Sequence, residues 1–221
     1  MSFNYKFVED KEFLARVQKS CNDDMKEIES ILRNEYDISC QYFLIGSGAK
    51  NMITEDSNGI IDLDYNINVY NGMNYDGKRL KTAVICAANQ VMKKNGLEDV
   101  NDSTSSIETK RVHFKDDPDK REFKTDIAIV TMKDGKWFRL IHDKGLLESY
   151  HWDPARNSSD YQHKAKEIKE VPGMWLEVRE EYLRLKNLYL HRNDHSHPSF
   201  VCYIEAVNNV YSRLKNELKN L

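Results

Sequence analysis

The chain has 221 residues, which is enough for one large domain or two small ones. Its formal net charge is −3. Proteins that hold duplex nucleic acid without sequence preference carry a strong basic excess, so no strong duplex binding is expected. No apolar run approaches about 18 residues, and residues 1–10 lack the apolar core of a signal peptide. We therefore expect a cytoplasmic protein that does not enter a membrane.

The first elements in the chain are a long helix and a short strand. Apolar residues recur at three- and four-residue spacing over residues 10–33, which predicts an amphipathic helix with Asp10 as its N-cap. The apolar and aromatic run over 41–45 predicts a strand. This strand ends at the turn signal Gly46-Ser47-Gly48.

Residues 60–69 alternate between apolar and polar side chains, which predicts a half-buried strand. Its polar face carries Asp62, Asp64, Asn66 and Asn68, and its apolar face includes Tyr65. A helix is predicted over 76–94 from its apolar stripe. Further strands are predicted over 106–114, 121–131 and 136–142.

After about residue 145 the strand pattern disappears, and helices are predicted over 160–169, 173–191 and 199–220. The order of elements predicts an α+β fold: a small mixed sheet with an N-terminal helix, followed by a C-terminal helical lobe. We expect a catalytic core over 1–145 and the lobe over 146–221.

Asp62 and Asp64 point to the same face of their strand, about 7 Å apart along the chain. Two carboxylates so close repel each other unless a cation lies between them. Mg²⁺ prefers such hard oxygen ligands and keeps positions open for water and phosphate. The pair therefore indicates a divalent metal site.

Two further features extend this site. A helix beginning at Gly46-Ser47 would offer free backbone N–H groups and a hydroxyl to a phosphate. Asp126 is an acid within the otherwise apolar strand over 121–131. Three acids and a phosphate-binding turn are the components of a two-metal phosphoryl-transfer site.

The combination of Gly46-Ser47, Asp62-Leu63-Asp64 and Asp126 resembles the DNA polymerase β-like nucleotidyltransferase superfamily. The surrounding helices are similar to the branch with cyclic-oligonucleotide synthases, oligoadenylate synthases and CCA-adding enzymes. The resemblance covers about residues 40–130 by motif. It implies that the Gly-Ser turn holds a triphosphate, and that the three aspartates bind two Mg²⁺ (or Mn²⁺) ions.

The resemblance also suggests further nucleotide-binding residues. In the similar families a lysine and a serine of the helical part reach the triphosphate, which points here to Lys164 and Ser159. Lys50 follows the glycine turn, and Asn66 shares the face of the acids. For each of these four residues an ordinary solvated position is an open alternative.

The expected function is metal-dependent transfer of a nucleoside monophosphate from an NTP, with ATP as the expected NTP, to an unidentified hydroxyl acceptor. The alternative is a non-catalytic nucleotide-sensing or partner-binding module. A third option is an RNA-cleaving toxin built on the loop over 191–197. His191, His195 and His197 of this loop could alternatively bind a metal. Arg192 and His197 there resemble the R-x4-H element of HEPN-type ribonucleases, although Pro198 favours a plain loop.

Overall fold

The computed structural model of the protein describes residues 4–55, 59–155, 159–194 and 199–219, without the side chains of residues 159, 160 and 217–219. The helices are α1 (Lys11–Tyr36), α2 (Gly46–Ala49), α3 (Gly77–Lys94), α4 (Ser159–Glu170), α5 (Met174–His191) and α6 (Ser199–Lys219). The strands are β1 (Lys6–Phe7), β2 (Cys40–Leu44), β3 (Thr54–Glu55), β4 (Ile61–Val69), β5 (Asn101–Asp102), β6 (Ile107–Glu108), β7 (Phe123–Lys133), β8 (Lys136–Asp143) and β9 (Ser149–Pro154). None of the described helices has both the length and the apolar character needed to cross a membrane.

The chain divides into two compact units. The sheet unit contains residues 8–53 and 59–155, and the helical unit contains the described parts of residues 1–7, 54–58 and 156–221. In the helical unit α4 and α5 pack against α6, and β1 pairs with β3. The predicted α+β architecture, with an N-terminal helix, a mixed sheet and C-terminal helices, is confirmed.

The sheet unit is organised around β4. This strand pairs antiparallel with β2 on one side and parallel with β7 on the other. On the edge away from β4, β7 pairs with two strands. β6 pairs with residues 126 and 127 of β7, and β8 pairs with residues 130–133. β5 extends the sheet beyond β6, and β9 extends it beyond β8.

The apolar face of β4 forms the centre of the core. Its inward side chains are at most 1% exposed; they are Ile61, Leu63, Tyr65, Ile67 and Val69. They belong to the same core cluster as the buried stripes of α1 and α3, and α1 begins where the Asp10 carboxylate accepts a hydrogen bond from the Phe13 N–H. Because the alternation of β4 is strict, burial of this face turns Asp62 and Asp64 to the opposite one.

The structure contains strands that the sequence pattern did not predict. β9 lies beyond residue 145, within the sheet unit; its apolar alternation is limited to the half-buried Tyr150 and Trp152, which is too short a pattern to predict a strand. Our expected division at 145/146 therefore differs from the observed units, whose boundary lies at 155/156. In the predicted strand over 106–114, only β6 and an isolated bridge at Val112 are formed.

Tyr65 ties the centre of the sheet to α1. Its ring is fully buried, and its hydroxyl donates a hydrogen bond of 2.9 Å to the Asn22 side-chain oxygen. We predict that Tyr65→Phe lowers the free energy of unfolding by about 1–2 kcal/mol, because the part-buried Asn22 acceptor loses its donor. Urea unfolding measures this loss. A matched Tyr70→Phe change, at a residue 47% exposed, should have little effect, and equal losses in both variants would contradict the assignment.

Candidate active site

The acids lie on two neighbouring parallel strands. The register places Asp64 of β4 directly opposite Asp126 of β7, and Asp62 opposite Lys124. Adjacent strands are about 4.8 Å apart, and directly opposed residues point to the same face. The three predicted aspartates therefore share one face of the sheet, which is opposite to the buried core.

The Gly46-Ser47 turn lies beside Asp64. The Ile45 N–H donates a 2.8 Å hydrogen bond to the Asp64 carbonyl, and the four-residue helix α2 begins at Gly46. Gly46 has φ +61°, and a Cβ at this position would lie 2.3 Å from Asp64 Oδ2. Only glycine permits this backbone conformation and this close approach together. The backbone of the Gly46 turn therefore packs directly against the Asp64 carboxylate.

A fourth acid and a lysine complete the cluster. Glu108 of β6 is directly opposite Asp126, so Asp64, Asp126 and Glu108 form one row across three strands. The Lys124 ammonium lies 3.2 Å from Asp126 Oδ1 and 4.0 Å from oxygens of both Asp62 and Glu108. The positive charge of the ammonium reduces the electrostatic repulsion between these carboxylates.

The acid cluster fits a divalent cation by its chemistry. Carboxylate oxygens are the ligands that Mg²⁺ and Mn²⁺ prefer, and Asp62, Asp64 and Asp126 present them on one face. The arrangement of the side chains is nevertheless built around the ammonium. Across the described residues, no three His, Cys, Asp or Glu side chains converge closely enough to hold a metal ion.

Burial sets the ionisation of Asp126. Desolvation raises the pKa of Asp126 to about 6, although the neighbouring Lys124 ammonium acts in the opposite direction. Burial likewise opposes the charge of Lys124, but the Asp126 and Asp62 carboxylates hold the pKa of Lys124 above its usual range. At neutral pH both groups are therefore charged, and Asp126 is a stronger base than an ordinary aspartate.

Arg139 adds a second positive charge to this face. It lies on β8 opposite Val130, and alternation places Val130 on the same side of β7 as Asp126. Desolvation lowers the pKa of Arg139, while the attraction of Asp64 opposes that shift. The guanidinium is thus a largely desolvated cation within electrostatic reach of the acids.

The other sequence candidates are divided between the two units. In the sheet unit, Asn66 lies on the acid face and Lys50 Nζ donates to the Gly46 carbonyl at 3.0 Å. In the helical unit, Lys164 Nζ donates to Asn208 Oδ1 at 2.8 Å, and Ser159 is the first residue of α4. His191 is paired with Asn4, whereas residues 195–198 lie outside the described residues.

Three charged residues of this face were not among the sequence candidates. Glu108 lies in a two-residue strand, which is too short for a periodic signal. Lys124 is two residues before Asp126 and shares its face, so the strand periodicity does contain this information. Arg139 could not be placed from sequence, because its position depends on the register between β7 and β8.

No protein-family model matches the chain, and no curated protein matches it in sequence. Solved structures share its fold. The CdnE cyclic dinucleotide synthase of Elizabethkingia meningoseptica, in a structure with GTP and Apcpp, aligns with a TM-score of 0.51 at 14% identity over 90% of this chain and 78% of the other. CdnC of E. coli MS115-1, in a structure with ATP, aligns with a TM-score of 0.55 at 15% identity over 93% and 62%.

The DncV cyclic AMP-GMP synthase of Vibrio cholerae, in complex with the linear intermediate 5′ pppA(3′,5′)pG, aligns with a TM-score of 0.52 at 9% identity over 84% of this chain and 61% of the other. The chain thus spans about three fifths of the CdnC and DncV chains. At these identities the comparisons establish the fold. The fold expected from the resemblance, that of the cyclic-oligonucleotide synthase branch, is therefore confirmed.

The contact between Gly46 and Asp64 is testable through stability. We predict that Gly46→Ala destabilises the protein by more than the roughly 1–2 kcal/mol that a positive φ costs a non-glycine residue, because the new Cβ also meets the Asp64 carboxylate. In an Asp64→Ala background the excess should disappear, so the two changes are non-additive. Urea unfolding of the four proteins measures the coupling.

Gly48→Ala is the matched control, since a Cβ there would meet the Leu44 side chain. Its effect should be the same with and without the Asp64 carboxylate. An additive Gly46→Ala effect would show that the turn is not fitted against Asp64.

Proposed function

We propose that the protein is a metal-dependent nucleotidyltransferase that moves a nucleoside monophosphate from an NTP, with ATP as the expected donor, to a hydroxyl acceptor and releases pyrophosphate. The observation that carries this proposal is the register of β4 and β7, which places Asp64 opposite Asp126 beside the Gly46 turn, with Asp62 on the same face. The fold shared with a cyclic dinucleotide synthase and a cyclic AMP-GMP synthase, both solved with nucleotides, supports it. We propose that the sheet unit carries the chemistry.

In this proposal Asp62, Asp64 and Asp126 hold Mg²⁺ or Mn²⁺. The metal would neutralise phosphate charge and lower the pKa of a bound hydroxyl. The Gly46-Ser47 turn holds the terminal phosphates, with Lys50 beside it. Asn66 on the same face, and Ser159 and Lys164 of the helical unit, are further proposed nucleotide-binding residues.

Asp126 is the proposed general base. Its carboxylate lies on the acid face, directly opposite Asp64, in a position to accept the proton of an acceptor hydroxyl. The acceptor oxygen forms a bond to the α-phosphorus and gives its proton to the Asp126 carboxylate. The bond from the α-phosphorus to the bridging oxygen breaks, and pyrophosphate leaves with the electron pair.

The geometry suggests where the acceptor lies. In-line transfer needs the leaving and attacking oxygens on opposite sides of the phosphorus. If the terminal phosphates lie at Gly46, on the β2 side of Asp64, the acceptor approaches over β7 and β8. Arg139 lies on that side, and the buried Asn66 and Asn68 side-chain oxygens of the same face have no hydrogen-bond partner among the described residues. Such groups favour a polar acceptor.

One observation favours the alternative of a non-catalytic nucleotide-sensing module. The Lys124 ammonium already lies near the Asp126 and Asp62 carboxylates and reduces their repulsion, so the cluster can persist in a protein that binds no metal. Turnover discriminates the two functions, because a sensing module binds nucleotide and releases it unchanged.

We predict that Asp62→Asn, Asp64→Asn and Asp126→Asn each reduce transfer from α-labelled NTP by about a thousandfold or more, since each removes several kcal/mol of charge stabilisation. Product separation after incubation with each NTP and Mg²⁺ or Mn²⁺ measures the loss. Asp134→Asn removes a charge at an exposed hairpin position and should leave transfer unchanged. Full transfer by any of the three site variants would contradict the site.

A further inference from the structure

Lys124 is enclosed by acids on its own face of the sheet. Its side chain is 22% exposed and contacts three carboxylates, those of Asp126, Asp62 and Glu108. The contact with Asp126 is the closest, at 3.2 and 3.3 Å to its two oxygens. The ammonium therefore lies between side chains that the proposed function assigns to a divalent cation.

Glu108 is oriented as a second partner for this ammonium. Its Oε1 accepts a 2.5 Å hydrogen bond from the Ser103 hydroxyl, while Oε2 faces Lys124 Nζ at 4.0 Å. Ser103 thus holds Glu108 in place whether or not Lys124 is bound to it. A small rotation of the lysine side chain is enough to exchange its contact with Asp126 for one with Glu108.

We propose that Lys124 is a displaceable internal cation: its ammonium neutralises Asp126 in the metal-free protein and moves to Glu108 when a divalent cation binds the aspartates. The inference rests on the proposed function, because it assumes that those aspartates bind metal. A lysine suits this role, since its ammonium is a point charge on a flexible stem. Arginine would form a two-bond pair with a carboxylate that is harder to displace.

Two alternative positions of the Lys124 ammonium, at Asp126 and at Glu108, balance the charge of the acid face with and without a metal ion. Without a cation, four carboxylates on one face would repel each other; they are Asp62, Asp64, Asp126 and Glu108. With a divalent cation present, an ammonium left at Asp126 would repel the metal and occupy one of its ligands. Movement to Glu108 keeps Asp62, Asp126 and Glu108 near a positive charge in both states. Glu108 and Lys124 are therefore positioning residues, which act through Asp126.

Binding of Mn²⁺ alone to the purified protein, followed by the electron paramagnetic resonance signal of free Mn²⁺, tests the role of Lys124. We predict that Lys124→Met tightens binding by about tenfold or more, because a competing cation is removed. It should also lower the melting temperature in EDTA, and Mn²⁺ should restore most of that loss. Lys124→Gln serves the same purpose if the Met variant is too unstable.

The Lys124→Arg variant distinguishes two effects on Mn²⁺ binding: competition of the side chain for the Asp126 carboxylate, and long-range repulsion by its positive charge. Both side chains are cations, so long-range repulsion alone predicts the same Mn²⁺ affinity as the natural protein. The proposal predicts weaker binding, because the guanidinium holds Asp126 more firmly. Lys133→Met, at an exposed residue of the same strand, is the matched charge-removal control and should not change Mn²⁺ affinity.

A double-mutant cycle tests the role of Glu108. Glu108→Gln should weaken Mn²⁺ binding in the natural protein, since Lys124 then has no second partner, and should do so much less in the Lys124→Met background. An equal effect in both backgrounds, or unchanged Mn²⁺ affinity in Lys124→Met, would overturn the proposal. These titrations need no turnover, so an inactive protein that binds Mn²⁺ as predicted would refute the transfer reaction while supporting the displaceable lysine.

Discussion

The arrangement of this protein depends on one electrostatic constraint: several carboxylates share one face of a sheet and cannot turn away from each other. The other face of β4 is the centre of the core, with Leu63 and Tyr65 fully buried on either side of Asp64. Rotation of the strand would expose that core, so the acids keep their direction. The parallel register with β7 then brings Asp126 to Asp64. A cation must lie among these groups, and in the structure it is the Lys124 ammonium.

The same constraint relates the fold to the proposed chemistry. Phosphoryl transfer needs positive charge where the phosphates lie and a base beside the acceptor. In the proposed function the carboxylate cluster would hold that positive charge as a metal ion, and Asp126 on β7 would be the base. The missing Cβ of Gly46 lets the turn approach Asp64 closely. A phosphate held by that turn would therefore lie next to the acids.

The central strand and the three aspartates could be predicted from sequence because their signal is local. Strict alternation over β4 assigns Asp62 and Asp64 to one face, and Asp126 stands out within the apolar β7. The contributions of Glu108 and Arg139 depend on pairing between distant segments, which no local pattern reports. The apolar alternation of β9 is limited to the half-buried Tyr150 and Trp152, which is too short a pattern for strand prediction.

Lys124 illustrates a different gap between sequence and structure. Its position two residues before Asp126 shows that the two side chains share a face, but not that the ammonium contacts acids from three strands. The charge balance of the face follows only once the register is known. The acids of the described residues do not converge on a metal position, because the side chains are arranged around a monovalent internal cation.

The most direct measurement is an anomalous diffraction map from crystals grown with Mn²⁺ and a non-hydrolysable NTP analogue. We predict a Mn²⁺ peak bounded by Asp62, Asp64 and Asp126, with the analogue's terminal phosphates at the Gly46-Ser47 turn and the Lys124 ammonium moved from Asp126 to Glu108. Analogue bound elsewhere, or no peak at the aspartates with Lys124 still paired to Asp126 at saturating Mn²⁺, would contradict this prediction.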